Sequence, residues 1–152
     1  MKIKLLLAPL FLVLSFDSSA LYAGTPEQEK AFTAKYKAAY EAKDTATLES
    51  FLYTKDANPM ALEFYKMMVS NGAGEKVSKI ELVDLSPEDA KKANEVMDGP
   101  GGAKMRLGLK PTKKLKITVE TKDSNGSSSS TSESFIAEKD GKFVIPVPVT
   151  AK

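Results

Sequence analysis

The 152-residue chain contains neither cysteine nor histidine, and those two absences remove much familiar chemistry before any motif is sought. Without histidine there is no serine–histidine triad, and without cysteine no thiolate nucleophile. A zinc site built from the usual nitrogen and sulfur ligands is excluded on the same grounds. Disulfides are impossible, so the fold must stand on its own apolar core, and a lipid-modified cysteine at a mature N-terminus is ruled out. An excess of one charge is also lacking: 22 basic residues face 20 acidic ones. A chain this close to neutral has no general electrostatic reason to seek nucleic acid or anionic lipid. No D-x-D-x-D-G run marks an EF-hand loop. The stretch Asp98–Lys104 lacks the Gly-Lys-Ser/Thr ending of a phosphate-binding loop and reads as a plain connector. The inventory implies no metal and no cofactor.

The single long apolar run stands at the start. Lys2 and Lys4 precede Leu5–Phe16, broken only by Pro9, and small residues lead on to Ala20 and Ala23. A run of about a dozen is too short to span a bilayer, which takes about 20 residues. A basic start, an apolar middle and a small-residue end fit a cleaved secretory signal. Residues 1–23 are expected to be a signal peptide, cut after Ala20 or Ala23. Residues 24–152 are then one domain in a periplasmic or extracellular space, with no membrane anchor left. The cut removes Lys2, Lys4 and Asp17 and leaves a net charge near zero. About 130 residues bury close to two-thirds of their unfolded surface, enough for an independent core.

Thr25-Pro26-Glu27-Gln28 is a helix start: Thr25 caps, Pro26 fits the first turn, and Gln28 stands where a capping box wants Glu or Gln. Phe32, Tyr36, Ala39 and Tyr40 follow at the spacing of one helical face. A second short helix begins at Asp44 or Thr45 and runs through Leu48, Phe51 and Leu52. Asn58-Pro59 repeats the cap-and-proline signal for a third, ending near Ser70 at Asn71-Gly72. Met60, Leu62, Phe64, Met67, Met68 and Val69 cover most of its circumference, which predicts a well-buried helix.

The rhythm then shortens. Ile80 and Leu82 alternate with Lys79 and Glu81 as a strand. Ser86-Pro87-Glu88-Asp89 opens a fourth helix with Ala90, Ala93, Val96 and Met97 on its face, and residues 98–102 form a loop. Met105, Leu107 and Leu109 alternate, and so do Leu115, Ile117 and Val119, giving one buried and one wet face. Asn125-Gly126 and Asp140-Gly141 are hairpin signals. The strand between them begins as Ser127 to Ser134, nearly all hydroxyl, and continues into Phe135, Ile136 and Ala137. Pro146 and Pro148 lack N–H groups on one edge, so the last strand ends at a sheet margin or leaves the sheet. Helices first and antiparallel strands after predict an α+β fold. Its N-terminal helices pack on a curved, mostly antiparallel sheet of about five strands.

Ala39, Tyr40, Ala42, Asp44 and Leu48 match an alanine-tyrosine, alanine, aspartate, leucine pattern on an opening helix. With this stretch and its order of elements, the chain resembles the nuclear-transport-factor-2-like superfamily, a cone-shaped fold related to the cystatin-like roll. The resemblance implies a sheet curled around the long helix, with a pocket at its open end. Members include ketosteroid isomerase, polyketide cyclases, dehydratases and many exported proteins without known activity. Their active sites draw on a His–Asp pair or on Tyr and Asp, and only the second kind is open to a chain without histidine.

Phe32, Tyr36 and Tyr40 are the candidate ligand-binding residues, offering aromatic rings and two hydroxyls on one stripe. The plain alternative is ordinary core. A general base would need an Asp or Glu with its pKa raised by burial. Asp84 shares the phase of Ile80 and Leu82, although an aspartate at that place more simply ends a strand; no catalytic residue is assigned. Asn125-Gly126-Ser127 fits a glycosylation acceptor, but the turn explains it. The serine tract reads as a solvated edge strand that could also present hydroxyls to a sugar or a surface. Lys110, Lys113, Lys114 and Lys116 read as the solvated face of a strand start. The expectation is an exported, non-catalytic domain, monomer or homodimer, that binds a small apolar ligand or an envelope protein. The alternatives are a Tyr/Asp proton-transfer enzyme of the isomerase or dehydratase kind, and an accessory protein of the cell envelope.

Overall fold

The computed structural model describes residues 24–152 apart from Asn125, so the expected leader lies outside the described residues. In chain order the elements are α1 (Pro26–Glu41), α2 (Thr45–Glu49), β1 (Leu52–Tyr53), α3 (Pro59–Ser70), β2 (Val77–Asp84) and α4 (Pro87–Ala93). Then come β3 (Met97–Asp98), a 3-10 turn (Pro100–Gly102), β4 (Lys104–Leu107), β5 (Lys113–Asp123), β6 (Gly126–Lys139), β7 (Lys142–Pro146) and β8 (Pro148–Thr150). The helix starts obey their sequences. Gln28 N–H donates to Thr25 Oγ1 at 3.2 Å and Thr25 N–H to Gln28 Oε1 at 2.8 Å, a complete capping box. Asp44, Asn58 and Ser86 cap the other three helices.

Five strands form the main sheet in the order β1-β7-β6-β5-β2, and β3-β4-β8 form a smaller one. Among the described residues only β1 and β7 run parallel, and every other strand pair is antiparallel. The fold is α+β. Its core joins the α1 stripe to Leu115, Ile117 and Val119 of β5, with Leu48, Ile136 and Val147 fully buried.

The prolines at the end of β7 act as their chemistry dictates. Ile145 and Val147 donate to the Phe51 and Tyr53 carbonyls at 2.8 and 3.4 Å, so Val144 and Pro146 face β6. Val144 pairs with Ala137. The next partner along that register is Phe135, for which Pro146 has no N–H to give. Pairing with β6 stops there, and the chain crosses into the small sheet as β8.

Several sequence expectations need correcting. Leu52 does not continue the second helix. It belongs to β1, because the carbonyls of Phe51 and Tyr53 are taken by β7. The fourth helix ends at Ala93: the Asn94 side chain donates back to the Ala90 carbonyl at 2.7 Å, Val96 is exposed, and Met97 pairs with Met105. Residues 98–102 are not all loop, since Asp98 is in β3 and Pro100–Gly102 make a 3-10 turn. Nor is α3 well buried. Ala61 and Val69 meet the core, whereas Met60, Phe64 and Met67 are 50, 54 and 63% exposed. Helix α3 packs mainly against α2 and β8, and its apolar circumference exceeds the surface offered to it.

The lysines at the start of β5 are not a merely solvated face. Lys113 pairs with Glu29 and Asp84, Lys114 with Asp89 and Glu133, and Lys116 with Glu133. The network ties α1, β2, α4 and β6 to β5. The Lys114 ammonium, then the Ser86 hydroxyl, holds the Asp89 carboxyl at about 2, well below the usual carboxylate range. A carboxylate depressed in the folded state stabilises fully above its unfolded value, about pH 4. That contribution is lost as the pH falls through the folded value. Thermal unfolding measured across acid pH should therefore show Tm dropping between about pH 4 and 2, with Asp89→Asn lowering Tm at neutral pH and flattening that drop.

Candidate functional site

A cleft of about 330 Å³ lies between α1, the end of α3 and one face of β5 and β6. Tyr36 and Tyr40 form one wall and Met68 and Val69 another. The floor is Ile117 and Val119 of β5 beside Ser130, Ser132 and Ser134 of β6. Strand register explains this mixture. Leu115, Ile117 and Val119 stand opposite Ser134, Ser132 and Ser130, and directly opposed residues share a face of the sheet. Strand β5 thus turns apolar groups toward α1 while β6 turns hydroxyls. The space an apolar side chain would fill is left open.

The two tyrosines play different parts. The Tyr40 hydroxyl donates to the Asn71 carbonyl at 3.0 Å, tying α1 to the end of α3. Gly72, at a φ of +74°, passes so close that a Cβ there would run into that hydroxyl. Burial, then the charge of Glu75, raises the Tyr40 pKa above the ordinary tyrosine value. Tyr36 is only 3% exposed, and burial, followed by neighbouring Tyr40, pushes its pKa far above that value. Its hydroxyl makes no hydrogen bond among the described residues. Since none of their polar side-chain atoms is sealed off without a partner, that oxygen reaches the open cleft.

Phe32 sits apart from the cleft. Its ring meets Phe51 edge-on at 5.2 Å, Phe143 at 5.6 Å and Tyr36 at 6.0 Å between centroids. What remains exposed of it borders a separate depression with Lys35 and Phe51. The stripe read from the sequence therefore splits, with two tyrosines at the cleft and the phenylalanine in an aromatic cluster.

The acids at the cleft are Glu75 and Glu133, both exposed. Lys114 and then Lys116 hold the Glu133 carboxyl below its ordinary range, opposite to the shift a general base near neutrality requires. Asp84 is not on a buried face: its side chain is 90% exposed, ends β2 and pairs with Lys113. No Asp or Glu among the described residues is buried, and no cluster of three acids among them could hold a metal ion. The sequence offers the Ser127–Ser134 tract only as a solvated edge strand able to present hydroxyls, and its spacing assigns neither Ser130, Ser132 and Ser134 nor Met68 and Val69 to this cleft. Folding the chain about Asn125-Gly126 as a two-residue turn would shift the register by two residues; which serines oppose Ile117 and Val119 follows only from the observed pairing of Asp123 with Gly126.

No family model and no curated protein matches the chain. Among solved structures, it is similar to the helical cell shape determining protein Pgp2 from Campylobacter jejuni, at 14% identity and a TM-score of 0.41 over 76% of this chain. The chain spans 37% of the length of that protein. It is also similar to a designed nuclear-transport-factor-2-like protein, at 10% identity and a TM-score of 0.37, covering 80% of this chain and 95% of the other.

Proposed function

We propose that the chain is an exported, non-catalytic binding domain whose occupant sits in the cleft beneath Tyr36. Tyr36 carries this reading: its side chain is nearly buried, yet its hydroxyl has no partner among the described residues and is not sealed from the cleft that the residue lines. Such a group is an orienting contact waiting for a ligand. Ile117, Val119 and Met68 favour an apolar portion in the occupant, whereas the tyrosine and serine hydroxyls favour hydrogen-bonding groups. An amphipathic occupant suits this lining better than a wholly apolar one. The leader-like residues 1–23 support a role in a periplasmic or extracellular space. Proton transfer is the weaker reading, because it requires a carboxylate desolvated beside a tyrosine and the described residues supply none.

Native mass spectrometry of the chain, expressed with its own leader, tests the proposal. The exported protein should carry a bound mass or gain thermal stability from amphipathic compounds. Ser132→Phe, which fills the cleft, should weaken that binding about tenfold or more while leaving the far-ultraviolet spectrum unchanged. Binding indifferent to Ser132→Phe would place the occupant elsewhere.

A further inference from the structure

Strand β6 has a long unpaired edge. The hairpins at its two ends fix which groups lie there, because residues flanking a two-residue turn exchange both their backbone hydrogen bonds. At one end these are Asp123 and Gly126, and at the other Lys139 and Lys142. The register with β5 is unbroken from Gly126 to Ile136. Even-numbered residues of β6 therefore bond to β5, and odd-numbered ones point the other way. On that other side β7 takes only Ala137 and Lys139 before Pro146 interrupts it. The N–H and C=O groups of Ser127, Ser129, Thr131, Glu133 and Phe135 face outward, and no hydrogen bond among the described residues reaches them.

Folds usually guard such an edge with proline, a bulge or charge. Two sheet margins here are guarded. Strand β2 has a register shift between Val77 and Lys79 and carries Lys79 and Glu81, and β8 begins with Pro148. From Gly126 to Phe135, β6 has no proline and no bulge, and Glu133 is its one charged residue. The unguarded edge borders the cleft. Beside that cleft, Met68 shares a helical face with exposed Phe64 and Met60, so an apolar stripe runs outward from the α3 wall.

We propose that an extended peptide from a partner protein adds to β6 as a further strand. Alternate side chains of that peptide are apolar and turn inward over the cleft and the Phe64–Met68 stripe. This rests on the cleft being a binding site and names its occupant. A second copy of β6 fits less well, since its cleft-facing positions bring only serine hydroxyls to an apolar surface.

Hydrogen exchange followed by nuclear magnetic resonance tests the proposal on the exported protein. The probe is a capped synthetic peptide of about nine residues, alternating valine and threonine, long enough to match the free edge. In the free protein the amides of Ser127, Ser129, Thr131, Glu133 and Phe135 should exchange freely while those of Ser128, Ser130, Ser132 and Ser134 are protected. The peptide should slow the first set about tenfold or more. Thr131→Pro deletes one outward donor and should weaken the peptide about tenfold, whereas Thr131→Val should bind it as the wild type does. No slowing, or equal binding by Thr131→Pro, overturns the proposal. Slowing that tracks protein concentration without peptide makes the occupant a second copy and overturns it too. The two readings fail separately. Loss in Ser132→Phe with Thr131→Pro unaffected keeps the cleft and removes the edge, and the reverse keeps the edge and removes the cleft.

Discussion

Phe32→Ala is expected to lower the unfolding free energy by about 3–5 kcal/mol, the range for truncating a buried phenylalanine. The ring joins α1 to Phe51, just after α2, and to Phe143 of β7, and also touches Tyr36. Its removal empties the junction of three segments and forfeits aromatic contacts beyond plain area burial. A domain of this size has about 5–15 kcal/mol in total, so the variant stands near its unfolding threshold. Urea unfolding should show a lower midpoint with an unchanged slope. Phe32→Leu, which keeps most of the volume, should cost no more than about 1.5 kcal/mol. The pair separates core from site. A ligand contact at Phe32 would show as lost binding in both variants with stability little changed, and that result would return Phe32 to the binding residues.

Legibility in the sequence followed the range of the interaction concerned. The caps at Thr25, Asn58 and Ser86 and the turn at Asp140-Gly141 are settled within four residues, and each could be read directly. The alternation of Leu115, Ile117 and Val119 gave the buried face of β5, and the two prolines foretold where β7 would leave its neighbour. Leu52–Tyr53 could not be read as a strand, because a segment of two residues has no period. It becomes one only through carbonyls accepted by β7, far along the chain. The error on α3 has a different source. Apolar residues around a whole helix predict burial only if enough surface exists to cover them, and the described residues do not supply it for Met60, Phe64 and Met67. The cleft was half legible. Tyr36 and Tyr40 came from helical spacing, but its serine floor depends on which β6 residues oppose β5, and spacing within one strand does not contain that information.

The alternation of bonded and free groups along β6 yields the second large effect. Ser132→Pro and Thr131→Pro place the same ring at adjacent, exposed positions of one strand. Both restrict φ alike, and both leave the preceding residue extended, as a strand requires. They differ in which N–H disappears. At Ser132 it is the donor to Ile117 in the middle of the β5–β6 ladder, and the proline ring would also press on the paired strand. At Thr131 it is a donor facing solvent, and the remaining loss is the exposed contact between the Thr131 and Thr118 hydroxyls at 2.9 Å. The ladder variant should therefore be less stable than the edge variant by on the order of 2 kcal/mol, measured by thermal or urea unfolding. Thr131→Pro alone should stay close to the wild type. Equal destabilisation by the two would mean that the odd-numbered groups are already engaged. The edge would then not be free, and a partner strand would have nowhere to bind.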